Sequence, residues 1–321
     1  MIRFAIRLLG VMMLALTPAA AIAQAWPTRT ITMVVPFAPG GPADVLGRIV
    51  GAKMAEQLGQ SVVIENKAGA NTIIGAQAVA RAKPDGYTIL LAIDGTLVMN
   101  PYLYTTLSYD PFKDFAPVAL IARIPSAIIA NNSVKANTLQ EMIDIEKAKP
   151  GTFFVGVSTP TSQVAAGLLN QLAGIKITMV PYAGGMTQVS DLMQGTIPLG
   201  HESVNVALPL HRAGKLKILA LTARVRSSLA PEIPLVADVF PDYDMGIWQS
   251  VVVPAGTPRP IIDTLFSSLQ KAMAAPDVVE KLKASSIDPD VSKSPEDFAA
   301  FIRSQAETRE KVIKAVGIKL N

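Results

Sequence analysis

Cysteine is absent from this chain of 321 residues. That removes any disulfide framework, any thiolate nucleophile and any lipid-modified cysteine tethering the N-terminus. Histidine is almost absent as well, since His201 and His211 are the whole supply. His201-Glu202 has no second His four residues on, so the helical zinc-protease pattern is missing and no metal site is expected. No stretch beyond the N-terminus stays apolar, without a charge, Pro or Gly, for the roughly 20 residues a spanning helix needs. A concentrated basic face is missing too. The net charge is +4, and the nearest basic group (Arg212, Lys215, Lys217, Arg224, Arg226) is spread around a strand-like apolar run. Nucleic-acid binding is therefore not expected. The turn at Gly40-Gly41 is followed neither by G-x-G-x-x-G spacing nor by Gly-Lys-Ser/Thr. No nucleotide cofactor is implied.

What is present begins with the N-terminus. Arg3 and Arg7 precede an apolar run from Leu8 to Leu16, which Thr17-Pro18 breaks before small residues take over. That order is a secretory signal peptide. Ala21-Ile22-Ala23 and Ala23-Gln24-Ala25 both fit cleavage, and we expect residues 1–23 to be removed and the mature protein to be exported and soluble. Loss of Arg3 and Arg7 lowers the formal charge from +4 to +2. Half of the residues are hydrophobic, which excludes disorder. Roughly 300 mature residues bury an ample core and usually divide into two lobes.

Apolar β-like runs alternate with helical patterns, the mark of βαβ units. Strands are predicted at Ile31–Val35, Val62–Glu65, Tyr87–Ile93, Ala127–Ala130, Phe153–Val157, Thr178–Val180, Ile197–Gly200, Leu216–Thr222 and Ile247–Val253. Helices are predicted over Val45–Leu58, Thr72–Ala82, Leu139–Lys149, Val164–Leu172, Val189–Gln194, Pro260–Ala274 and Pro295–Val316. The pattern restarts after about Arg123, so one lobe is expected to hold residues 24–123 plus 225–321, and the other 124–224.

The chemistry is expected where strands run into helices. In Val34-Val35-Pro36-Phe37-Ala38-Pro39-Gly40-Gly41-Pro42-Ala43-Asp44, the glycines permit a sharp bend and close approach of a ligand. Pro42 suits a first helical position. The free N–H groups opening that helix make an anion site. The plainer reading is a simple βα turn with Asp44 as a cap, and this segment alone leaves both open. Comparable turns recur at Asp94-Gly95-Thr96, Ser158-Thr159-Pro160-Thr161-Ser162 and Tyr182-Ala183-Gly184-Gly185. Ligands of open α/β sheets bind outside the carboxyl ends of strands, so four such turns, two from each half, suggest a cleft between lobes.

Several of these segments carry a resemblance. Val34–Arg48, Glu65-Asn66-Lys67-Ala68-Gly69-Ala70, Lys83-Pro84-Asp85-Gly86-Tyr87-Thr88, Asn100-Pro101-Tyr102-Leu103-Tyr104 and Val253-Pro254-Ala255-Gly256-Thr257-Pro258 resemble the motifs of the tripartite tricarboxylate transporter solute-binding family, the Bug proteins. The likeness covers essentially the whole mature chain. It implies a periplasmic type II binding-protein fold, with two doubly wound α/β lobes joined by crossing strands around a ligand cleft. It also implies capture of a small carboxylate and delivery to a membrane permease, without enzymatic activity or a cofactor. By the same resemblance, Phe37, Ala38, Gly40 and Gly41 hold a carboxylate from lobe one, joined by Asp44 and by Asp94, Gly95 and Thr96. Ser158, Thr159, Thr161, Ser162, Tyr182, Ala183 and Gly184 face them from lobe two. A monomer is implied by analogy.

The chain departs from the family pattern in lobe two. The usual S-x-G-x-G-T-T-T-H loop has Ser158 and Pro160 at its glycine-like places and Val164 at its His place. Pro160 lacks a backbone donor. His201-Glu202-Ser203 stands where relatives often carry Phe-Asp-Asn. Glu202 reads either as a partner for a ligand amino group or as a solvated acid. Phe37, Tyr182 and Trp248 are candidates for an apolar wall, while Arg48 is expected to face solvent. Dicarboxylates, tricarboxylates, acidic amino acids and aromatic carboxylates all remain open as ligands. Two other functions compete: a loaded sensor partner docking on a membrane receptor, and a serine hydrolase using Ser158 with His201 or His211. The second is weakened because Pro160 replaces the final glycine of G-x-S-x-G.

Overall fold

The computed structural model describes residues 26–224, 226, 230–285 and 287–320. The expected signal peptide, 1–23, lies outside the described residues. Two sheets organise the rest. The first has the order β11-β4-β10-β3-β1-β2 and the second β7-β6-β8-β5-β9. In the first, β1 (Ile31–Val35) lies between β2 (Val62–Asn66) and β3 (Thr88–Ile93), parallel to both. In the second, β6 (Phe154–Val157) lies between β7 (Thr178–Pro181) and β8 (Leu199–Ser203), again parallel. Central strands such as β3 read as nearly continuous apolar runs, buried from Ile89 to Ile93, as expected of strands covered on both faces. The edge strand β2 alternates between half-buried and exposed residues.

The remaining strands differ from a purely parallel expectation. β10 (Ile247–Pro254) runs antiparallel to β3 and to β4 (Phe115–Ile124), and β5 (Ser126–Ala130) is antiparallel to β8 and to β9 (Lys217–Leu221). The two-residue β11 (Asp288–Pro289) extends the first sheet beside β4. These are the strands that carry the chain between sheets. Ile124 closes β4 in one sheet and Ser126 opens β5 in the other, so Pro125 alone separates them. The return path is fixed beside it. The Thr222 N–H donates to the Ser126 carbonyl at 2.8 Å, and the Met245 N–H donates to the Thr222 carbonyl at 2.9 Å.

The helix that follows β1, α1 (Pro42–Leu58), has Pro42 in its first turn and ends at Gly59, whose φ of 65° lets its N–H reach the Ala55 carbonyl. Gly47 and Gly51 lie against Val35 and Ile64 so closely that a Cβ on either would sit 3.2 Å from a side chain. Glycine here brings helix and sheet together. α2 (Ile73–Ala80) and the four-residue α3 (Asn100–Leu103) complete the first lobe's early half. In the second, α4 (Leu139–Ala148), α5 (Pro160–Ala173), α6 (Gly185–Gln194) and α7 (Val204–Arg212) flank the strands.

After the return crossing come α8 (Arg259–Ala274), α9 (Pro276–Ala284) and α10 (Pro295–Val316). Ser294 caps α10 by accepting from the Asp297 N–H, and the apolar stripe Phe298, Ile302, Ala306 and Ile313 is buried. That stripe joins a core cluster containing residues of both sheets, among them Leu90 and Ile128, together with Val98 and Val164 from helical segments. α10 also packs on α5, where a Cβ on Gly167 would overlap Val316. The two lobes are therefore bridged by buried apolar contact as well as by the crossing strands. Among the described residues, no helix is long and apolar enough to cross a membrane.

Candidate ligand-binding site

The first loop follows β1, and one carboxylate holds its shape. Asp44 is buried in the first turn of α1. Its oxygens accept from the Gly40 N–H at 2.9 Å, from Asn66 Nδ2 at 2.9 Å and from Arg48 Nε at 3.0 Å. Asn66 Nδ2 also donates to the Phe37 carbonyl at 3.0 Å. Burial opposes ionisation of Asp44, but the Arg48, Gly40 and Asn66 bonds outweigh it and hold the carboxyl below its ordinary range. Asp44 thus serves the loop from within, and Arg48 closes the same clamp. Asn66 was visible in the sequence only as part of a motif; its partners lie 22 and 29 residues away. Gly40 has φ 85°, a value that favours glycine. Gly41 has φ −78° and would meet only ordinary contact on gaining a Cβ. Only one of the two glycines is required by conformation.

The second loop, after β3, is buried throughout at Asp94, Gly95 and Thr96. A polar network supports it. Thr96 and Thr72 hydroxyls meet at 2.8 Å, the Tyr109 hydroxyl donates to the Thr96 carbonyl at 2.7 Å, and Asn100 Nδ2 donates to the Asn71 carbonyl at 2.9 Å. Thr72 reaches Thr96 from an unusual turn in which Ala70, Asn71 and Thr72 all have positive φ. Three consecutive left-handed residues other than glycine cost on the order of 1–2 kcal/mol each, so surrounding bonds such as Asn71 to Tyr104 must hold them. Asp94 Oδ2 accepts from Thr161 Oγ1 of the other lobe at 3.1 Å. Asp94 Oδ1 is buried without a partner. Burial pushes the Asp94 carboxyl up to about 6, with the Arg309 charge and the Thr161 bond opposing it.

The lobe-two loops are arranged differently from the expectation. Thr159 is the N-cap of α5, not a free loop residue, and the helix begins at Pro160 rather than near Val164. Ser162 Oγ accepts from the Ser158 N–H at 3.0 Å and the Thr159 N–H at 2.9 Å, while Thr159 Oγ1 accepts from the Ser162 N–H at 3.1 Å. That reciprocal capping box engages the Ser158, Thr159 and Ser162 backbone N–H groups within the loop itself. Thr161, in contrast, points across the seam to Asp94. Tyr182 donates its hydroxyl to Asp191 at 2.9 Å, tying the last loop to α6. Phe37, Ala38, Gly40 and Gly41 in one lobe, and Tyr182, Ala183 and Gly184 in the other, stay partly or fully exposed.

Glu202 lies beside this last loop. Its Oε1 accepts from the Ser203 N–H at 2.8 Å and from Ser203 Oγ at 2.9 Å, whereas Oε2 is buried without a partner. Two other sequence candidates change place. Trp248 is in the core, edge-on to Phe298 and Phe301, and is no cleft wall. His201 is buried in the lobe-two sheet, and burial lowers its imidazole to about 4. His211 Nδ1 lies 3.3 Å from both the Leu216 carbonyl and the Ile218 nitrogen. Neither imidazole is hydrogen-bonded to Ser158, so the hydrolase arrangement lacks a positioned base.

A family described as tripartite tricarboxylate transporter family receptor matches residues 46–318. The chain belongs to that family. Protein BugT of Bordetella pertussis is 33% identical to this receptor-family chain over 304 residues, covering 93% of the chain and 92% of BugT. Among solved structures, Rpa4515 of R. palustris with adipate is 33% identical with a TM-score of 0.85, covering 92% of this chain and 99% of that one. MatC of Rhodopseudomonas palustris with bound malate is 31% identical with a TM-score of 0.81, covering 90% and 100%. These receptor-family neighbours share the two-lobed mixed α/β fold. The family match begins inside α1, so the Phe37–Gly41 loop lies just upstream of it.

Proposed function

We propose that this receptor-family protein is an exported, periplasmic solute-binding protein, not an enzyme, which captures a small carboxylate and delivers it to the membrane permease of a tripartite tricarboxylate-type transporter. The observation that carries the reading is the meeting of strand-end loops from two separate sheets, marked by the Thr161 to Asp94 bond across the seam. Such a seam beside crossing strands is where a ligand joins two lobes of an α/β protein. Lobe one offers the carboxylate end. Ala38 and Gly41 stand at the opening of α1, and a helix N-terminus favours an anion. The adipate and malate held by the two R. palustris neighbours support a carboxylate as the ligand class here. Phe37 packs against the first lobe's core and Tyr182 against the second's, giving each loop an apolar footing.

A thermal-shift screen of the mature protein against carboxylates, amino acids and sugars tests this. A ligand at about 100 times its Kd adds roughly 2.7 kcal/mol, a readable rise in Tm. Stabilisation confined to carboxylate-bearing compounds is expected. Stabilisation by sugars alone would overturn the reading.

A further inference from the structure

The lobe-two wall contains a carboxyl group with no cation to answer it. Glu202 is half-buried at the end of β8, and a Cβ on Gly185 at the start of α6 would collide with its Oε2. One oxygen is satisfied by Ser203; the other is shut away from solvent and has no donor. Burial raises the Glu202 carboxyl above its ordinary range, and only the Ser203 bonds oppose that; no positive side chain acts on it. Asn205, in the first turn of α7 just past Ser203, likewise leaves its Oδ1 buried and unpaired. Both vacant positions are acceptors. They are short of a hydrogen-bond donor, and a second ligand carboxylate would bring only further acceptors and a like charge.

We infer that the end of the ligand seated in lobe two is a donor-bearing cation, an ammonium group received by Glu202 and Asn205, so that the ligand is an aminocarboxylate. This rests on the reading that lobe one holds a carboxylate. Leaving a buried carboxylate unpaired is costly, and an ammonium supplies both the charge and the protons that Oε2 and the Asn205 oxygen lack.

The test is calorimetry on the mature protein with compounds matched in length: 4-aminobutanoate, 6-aminohexanoate, aspartate, glutamate and 2-aminoadipate, against butanoate, hexanoate, succinate, glutarate and adipate. At least one aminated compound should bind tenfold or more tightly than its amine-free counterpart. Glu202→Gln, which keeps the shape, should erase that preference, and Asn205→Asp should enlarge it; the ligand-free Tm of each variant reports its folding. If amine-free dicarboxylates bind as well as or better than the aminated ones, and Glu202→Gln leaves that unchanged, this inference fails while the carboxylate reading stands. If nothing in either set binds, and neither citrate nor benzoate does, the carboxylate reading itself has failed.

Discussion

Asp44 and Glu202 are both acids near the opening of a helix, one in each lobe, and their environments are opposite. Asp44 has every oxygen engaged by Gly40, Asn66 and Arg48, and its carboxyl is held below the usual range. Glu202 has one oxygen engaged and its carboxyl is raised by burial. A polar group whose bonds are complete fixes a loop; on the proposed reading, one beside the cleft whose bonds are incomplete stands on the recognition side. Asp94 shares the incomplete bonding of Glu202, since Oδ1 is unpaired even though Oδ2 holds Thr161.

The largest expected effect comes from Asp94. Its folded pKa of about 6 stands above the ordinary 3.8, so between those values the folded state keeps a proton that the unfolded chain releases. Stability therefore falls as pH rises through that window. Asp94→Asn should stabilise the ligand-free protein at pH 7.5 by on the order of 3 kcal/mol and by almost nothing at pH 4. Denaturant titrations at both pH values check this; equal gains at both would mean that Asp94 does not titrate in that range. His201 has the opposite sign. Its folded value of about 4 lies below 6.5, so its contribution is present above pH 6.5 and lost as pH falls toward 4. His201→Leu should spare the protein on the order of 2 kcal/mol of acid destabilisation at pH 5, read from Tm against pH.

Removing the completed clamp should cost less. Asp44→Ala strips three bonds from the first loop, and a loss of about 1–3 kcal/mol is expected by urea unfolding. An effect on ligand affinity with no loss of stability would place Asp44 on the recognition side instead. The smallest contrast is between the neighbouring glycines. Gly40→Ala must adopt φ 85° and should cost roughly 1 kcal/mol, whereas Gly41→Ala should change stability by less than about 0.5 kcal/mol.

Much of the fold was readable in the order of residues. Ile31–Val35 and Pro295–Val316 were legible to the residue, because one is an apolar run broken only by Thr32 and the other a capped, periodic helix. β4 was not found, since Pro117 and Pro111 nearby read as loop while in the fold Pro117 pairs with Val252. The helix pattern at Val164 missed the first turn, because Thr159-Pro160-Thr161-Ser162 is polar and reads as a turn until its hydrogen bonds are seen to be a capping box. The loops of the candidate site were legible as strand-to-helix junctions. Their pairing was not, for no local spacing rule relates Thr161 to Asp94, 67 residues earlier. Nor does composition tell which acid is already satisfied.

One further consequence belongs to Pro125, the lone residue between the two sheets on the outward crossing. Its ring fixes φ, and its carbonyl accepts from the Val204 N–H at 2.8 Å, which leaves this crossing few torsions to turn. Thr222 stitches the return path directly alongside. Two crossings held side by side form a narrow joint between the sheets, with few backbone torsions left through which one sheet can turn on the other.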